Sequence, residues 1–84
     1  MNKEEIIAKL IPIVTTYAQN KDALTHLKEE TDFINDLKIN SANLVDVILD
    51  IEESFDIEID NESMEKMLTV KAAIEVIENK LSLK

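Results

Sequence analysis

The chain has no glycine, no cysteine and no tryptophan, and a single proline among its 84 residues. The lack of glycine and near-lack of proline argue against tight β-hairpins, whose turns depend on residues that tolerate positive φ. The lack of cysteine excludes a disulfide framework and cysteine-based zinc sites, and fits a reducing cytoplasm. Aromatic residues are limited to Tyr17, Phe33 and Phe55, so any core must be built from Ile, Leu, Val and Met. No apolar run approaches the length of a membrane span. Met1-Asn2-Lys3-Glu4-Glu5 is acidic and lacks the apolar stretch of a signal peptide. A soluble, unexported, cytoplasmic protein is expected. The length fits one small domain spanning residues 1–84.

What the chain has in excess is negative charge: 18 acidic residues against nine basic ones, a formal net charge of -9. Such a surface repels phosphate backbones, which sets nucleic acids aside as partners. It attracts basic proteins and speeds their encounter.

Hydrophobic spacing is helical throughout. From about Lys3 to Ala18, Ile6 or Ile7, Leu10, Val14 and Tyr17 recur at three- and four-residue steps. Pro12 falls inside this run and predicts a kink or a later helix start. Residues 20–40 lack sustained periodicity and read as a long connection anchored by Leu24, Leu27, Phe33, Ile34 and Leu37. Glu29 to Asp32 are expected on its solvent side, and a loop of this length often contains a short helix. The second helix is the clearest, with Ser41 as N-cap and Leu44, Ile48, Ile51 and Phe55 along one face. Val45, Val47 and Leu49 widen its apolar surface. Phe55 to Ile59 alternates like a strand but has no partner, so it reads as an extended loop that tucks Ile57 and Ile59 inward. Asp60 or Asn61 caps a short third helix holding Met64 and Met67, and Thr69 caps a last one with Ala73, Ile74, Ile77 and Leu81 inside. The expected fold is all-α: a small four-helix bundle of three longer helices and one short one, with a long loop between helices 1 and 2.

Catalytic chemistry finds little support. There is no glycine-rich phosphate loop and no thiol, and the one histidine, His26, sits in a polar stretch with no activating partner nearby in sequence. Asp32 to Asn43 has oxygen ligands at some EF-hand positions, but lacks the glycine and the final glutamate that such a loop needs. An enzyme or dedicated metal site is therefore disfavoured against a binding or carrier module. Asp46, Asp50 and Glu53, by contrast, line one side of the second helix, where like charges cost a few tenths of a kcal/mol per pair. Between Lys38 and Lys66 there are nine acidic residues and no basic one, half the acidic total in 27 residues. An uncompensated stripe of this kind favours a docking surface for a basic partner over a merely solvated face. Ser41 heads this helix, where free N–H groups and the helix dipole favour a phosphate. Spacing alone makes it a capping serine, a role compatible with carrying one.

The ordered set Phe33-Ile34-Asn35-Asp36-Leu37-Lys38-Ile39-Asn40-Ser41, then Val45-Asp46, then Ile51 through Ile59, resembles the acyl carrier proteins. In that family an Asp-Leu pair precedes an Asp-Ser-Leu motif, and the serine opens an acidic helix. The resemblance extends over the whole chain, including Thr69-Val70-Lys71-Ala72-Ala73 at the start of the last helix. It implies that Ser41 is a substrate rather than a nucleophile of its own active site. A phosphopantetheinyl transferase would use Mg²⁺ to attach 4'-phosphopantetheine from coenzyme A, and the arm's thiol would carry acyl groups as thioesters. It also implies basic docking patches on acyl synthases, reductases and transferases, and a monomeric carrier. Ala42, Val45, Asp46, Leu49, Asp50 and Glu53 are the expected docking residues.

Three positions depart from the family pattern. Asn40 stands where aspartate is usual and loses a charge near the transferase's metal site. Ala42 stands for leucine and Asn43 for an often acidic residue, which trims the contact surface beside the arm. The run from Ile39 to Asp46 looks more like carriers of specialised pathways such as aryl polyene or flexirubin-type pigments. The rival reading is an unmodified acidic adaptor that docks basic proteins through the same bundle. Whichever holds, self-repulsion should loosen the protein at neutral to alkaline pH and low ionic strength. The melting temperature is expected to rise between low and moderate salt, and an unchanged melt would contradict this.

Overall fold

Asn2 opens the first helix: its Oδ1 accepts the Glu5 N–H at 2.8 Å. In the computed structural model, which describes residues 2–83, that helix is α1, Lys3–Tyr17. It is followed by α2, Lys21–Leu24; α3, Ser41–Phe55; α4, Asn61–Lys66; and α5, Val70–Ser82. The four expected helices are present, and α2 adds a single turn inside the long connection. No strand forms among the described residues; one isolated bridge joins Asp32 to Thr69.

α1 starts at Lys3 and runs unbroken through Pro12, so the later start that proline allowed does not occur. The ring costs the Ala8 carbonyl its helical donor. Packing outweighs that loss, because Ile6, Leu10, Ile13 and Val14 on the same helix are all buried. Just beyond the proline, Thr15 Oγ1 donates to the Ile11 carbonyl at 2.6 Å and Thr16 Oγ1 to the Pro12 carbonyl at 3.1 Å. The core then gathers Phe33, Leu37 and Ile39 from the connection, Val47, Ile48, Ile51 and Phe55 from α3, and Ala73, Ile74 and Ile77 from α5. Leu44 is only partly buried at its edge, as are Leu24, Leu27, Ile59 and Met64. α1 packs against both α3 and α5. Truncation of a fully buried Ile such as Ile51 to Ala costs about 2–5 kcal/mol, a large share of a small domain's stability.

The connection between α1 and α3 is ordered by backbone hydrogen bonds rather than by regular structure. Phe33 N–H donates to the Leu68 carbonyl at 2.9 Å, Val70 N–H to Thr31 at 3.0 Å, and Lys71 N–H to Glu29 at 2.9 Å. These bonds draw the segment onto the start of α5. They also correct the expectation that Glu29 to Asp32 face solvent. Thr31 is buried, with its Oγ1 accepting from Lys28 N–H at 2.9 Å, Glu29 and Asp32 are half-buried, and only Glu30 is fully exposed.

The remaining caps follow side-chain chemistry. Asp60 caps α4 through Ser63 N–H at 3.3 Å, and Thr69 caps α5 through Ala72 N–H at 3.1 Å. Lys80 reaches back from α5 to Asp60 Oδ1 at 2.9 Å. That ammonium, helped by the Ser63 hydroxyl, holds the Asp60 carboxyl well below the usual carboxylate range. The lowered value means the pair contributes at and above the ordinary carboxylate pKa, and its contribution is lost as acid titrates Asp60.

Without glycine, two other residues must supply left-handed backbone. Lys38 has φ 58° and Asp56, the C-cap of α3, has φ 55°. A residue with a Cβ pays roughly 1–2 kcal/mol for that conformation. Lys38→Gly should therefore raise stability by about 0.5–1 kcal/mol, after the extra freedom of glycine in the unfolded chain is subtracted. The check is the urea midpoint at fixed pH and salt; a lower midpoint would contradict it.

Candidate functional site

The site is assembled at the junction of the connection with α3. At the end of α1, both Gln19 and Asn20 N–H groups donate to the Leu37 carbonyl at 3.1 Å, and Asn20 Nδ2 donates to the Asp36 carbonyl at 2.9 Å. Asp32 Oδ1 accepts from Ile34 and Asn35 N–H, each at 2.8 Å, while Asp36 Oδ2 accepts from Asp32 N–H at 2.8 Å. Leu37 N–H closes back onto the Asp32 carbonyl at 3.1 Å and Ile39 N–H onto Phe33 at 3.0 Å. The carboxylates that faintly resembled a calcium loop are thus engaged in winding a turn. With Leu37 and Ile39 buried on either side of Lys38, the chain has little freedom by the time it reaches Asn40.

Asn40, not Ser41, caps α3. The Asn40 backbone is extended, and its Oδ1 accepts from Ala42 N–H at 2.9 Å. The Asn40 carbonyl also receives Asn43 N–H at 2.8 Å. The expected cap at Ser41 is corrected by one residue: Asn caps a helix as well as Ser does, and it occupies the last non-helical position. Ser41 is the first helical residue and is exposed, its hydroxyl free of the capping bonds. No acidic residue lies in the first turn of α3, although the chain carries 18 of them. The exposed Lys38 stands three residues upstream.

At 3.6 residues per turn, Ala42, Val45, Asp46, Leu49, Asp50 and Glu53 share the face of α3 turned away from the core. Val45 and Leu49 are 50% and 54% exposed, and Ala42, Asp46 and Glu53 are exposed too. Val47, grouped with Val45 and Leu49 in sequence, points the other way and is buried. Asp50 differs from its neighbours. It is half-buried at the α1 side, where its Oδ2 accepts the Tyr17 hydroxyl at 2.9 Å. This hydrogen bond to Asp50, then partial burial, then the negative charges of Asp50 and Asp46, push the Tyr17 phenol above its ordinary pKa. Tyr17 read as one more apolar position on α1; its polar tip was the only signal of a second role.

Two further residues were not singled out from sequence. Glu52 Oε2 accepts Ile59 N–H at 2.7 Å and pins the segment after α3, with Ile57 buried beneath. Lys9 lies over the Phe55 ring, 5.5 Å from its centre, and Nζ donates to the Ser54 carbonyl at 3.3 Å. α1 therefore runs antiparallel to α3, its C-terminal end beside the start of the connection's last turn. His26 is exposed and, among the described residues, its Nδ1 meets the adjacent Thr25 Oγ1 at 2.7 Å and the Asp22 carbonyl at 3.4 Å.

No family model matches the chain. A curated relative does: over 80 residues, 95% of this chain and 98% of the relative, it is 36% identical to an acyl carrier protein of Prochlorococcus marinus (strain MIT 9515). The chain belongs to the acyl carrier protein family. Acyl carrier proteins are carriers and not enzymes. The family is generally modified with 4'-phosphopantetheine and works with biosynthetic enzymes. No helix among the described residues of this carrier is long and apolar enough to cross a membrane.

The site residues of the carrier fit a phosphodiester at Ser41 Oγ. The residue is exposed, it stands at the positive dipole end of α3, and no carboxylate shares that first turn. The cap assignment separates structural from chemical roles. Asn40→Ala is expected to lower stability by about 1 kcal/mol. Ser41→Ala should change it by less than about 0.5 kcal/mol. Chemical denaturation of the two variants checks this; the reverse ranking would return the cap to Ser41.

Proposed function

We propose that residues 1–84 act as one acyl carrier domain, with Ser41 the residue that receives the phosphopantetheine arm. Ser41 Oγ forms the new bond to phosphorus, and the 3',5'-bisphosphate half of coenzyme A leaves. The base and the Mg²⁺ for that step come from a phosphopantetheinyl transferase. When attached, the arm supplies a terminal thiol that holds acyl groups as thioesters in fatty-acid, polyketide or polyene-type synthesis. The chain's own residues do the rest. Asn40 keeps the α3 cap closed without adding a carboxylate next to the phosphodiester. Ala42, Val45 and Leu49 offer an apolar strip, and Asp46, Asp50 and Glu53 offer charge to basic patches on cytoplasmic synthases, reductases and transferases. Small apolar contacts within an acidic rim suit brief encounters, because steering raises the on-rate while limited contact keeps release fast.

The observation that carries this reading is the exposure of Ser41 as the first residue of α3, in a chain 36% identical to an acyl carrier protein along nearly its whole length. Its test is an intact mass after incubation with coenzyme A, Mg²⁺ and a broad-specificity phosphopantetheinyl transferase. A gain of one phosphopantetheine is expected, absent in Ser41→Ala. No gain with several transferases, from folded and unmodified protein, would favour the unmodified adaptor instead.

A further inference from the structure

The acidic face of α3 does not end on α3. Asp50, half-buried on the α1 side, is held by a hydroxyl from that helix: Tyr17 donates to Asp50 Oδ2 at 2.9 Å. Asp46 lies one turn earlier on the same helix, and its charge also reaches the phenol. Side chains four residues apart on a helix are neighbours, so Asp46 and Asp50 would repel each other and spread apart if left alone. A hydroxyl donated to one of them offsets part of that repulsion and fixes one carboxylate rotamer. It occupies Oδ2 and leaves Oδ1 available. It does not occupy Asp46, which is exposed. Asp46, the free oxygen of Asp50 and the exposed side chain of Leu49 beside them thus form a prearranged acceptor for a single basic side chain. A planar guanidinium fits such an arrangement better than a flexible ammonium does, because its fork engages two acceptors at once.

We infer that Tyr17 is a positioning residue for partner docking: by fixing Asp50 beside Asp46, it prepares the α1 side of the α3 face to receive one arginine of an acyl-processing or loading enzyme. The inference rests on the reading of α3 as the docking helix. Tyr17 acts through Asp50 and has no part in the chemistry at Ser41. Fixing the carboxylate before encounter removes part of the ordering cost of the complex, so the gain appears as tighter recognition rather than as a faster chemical step.

The test is a double-mutant cycle on the intact carrier, with coenzyme A, Mg²⁺ and the broad-specificity transferase as probe. Tyr17→Phe keeps the ring and removes the donor. It is expected to raise the KM for the carrier by about three- to tenfold, the net scale of one ordinary hydrogen bond, while kcat stays within about twofold. Asp50→Asn should raise KM at least as much, and Tyr17→Phe should add nothing on top of it. Tyr17 is the only tyrosine in a chain without tryptophan, so tyrosinate absorbance reads this contact alone. In Asp50→Asn the titration should fall back toward the ordinary phenol value. Thermal melts at the assay temperature show that each variant is folded. An unchanged KM for Tyr17→Phe, with wild type still loaded, would overturn the inference and leave the carrier reading intact. Effects that multiply in the double variant would also overturn it, since Tyr17 would then not act through Asp50. Failure of the wild type to be loaded at all would remove the carrier reading, and the inference with it.

Discussion

The carbonyl of Leu37 accepts the N–H groups of both Gln19 and Asn20, while its side chain is wholly buried in the core. Through that residue the end of α1 is fastened to the segment that leads into α3. Phe33, buried four residues earlier, donates its N–H to Leu68 and fastens the other side of the connection to the start of α5. Between these ties the chain closes on itself through Asp32 and Asp36, and Lys38 accepts a left-handed conformation so that Leu37 and Ile39 can both be buried. The place and direction of Ser41 follow from this frame. A serine on a loose loop would offer the same hydroxyl but no fixed relation to the exposed face of α3 behind it.

Charge works against stability across much of this chain. A net charge of -9 on 84 residues favours expansion. Half the acidic residues fall between Lys38 and Lys66 without a cation of their own, and the structure relieves only some of them. Lys80 neutralises Asp60 from α5, Glu52 is bonded to Ile59 N–H, and Tyr17 holds Asp50. Asp46 and Glu53 remain exposed on the outer face of α3. The first turn of that helix is kept clear of carboxylates, which leaves the dipole end at Ser41 unopposed. Repulsion is thus retained on the outer face of α3 and avoided in its first turn.

Much of this was legible in the residues themselves. The 3.6-residue spacing located α1, α3 and α5, the choice of Asp60 or Asn61 included the cap of α4, and Thr69 announced that of α5, because capping depends on one side chain and its nearest N–H groups. Long-range backbone pairing was not legible. Thr31 looked polar and exposed, yet Val70 N–H draws its carbonyl inward, and nothing local to Glu29-Glu30-Thr31-Asp32 signals that. The cap of α3 was misplaced by one residue because Asn40 and Ser41 are both competent caps, and only the backbone of the preceding turn selects between them. On α3 the split of Val47 from Val45 and Leu49 is a matter of angle about the axis. Counted against Ile48 and Ile51, Val47 falls on the inner side. The Tyr17–Asp50 bond joins residues 33 positions apart, a pairing that only the packing of α1 on α3 creates.

If Ser41 is presented by a fixed frame, the frame must be as durable as the core it joins. Native-state amide hydrogen exchange at moderate salt reads this residue by residue. The amides of Gln19, Phe33, Leu37 and Ile39 are expected to exchange on the slow scale of Ile51 and Ile77, since each donates to a backbone carbonyl across or within the connection. Exchange of those four amides at the rate of an open loop, while Ile51 and Ile77 stay protected, would contradict it and leave Ser41 on a tether rather than a frame.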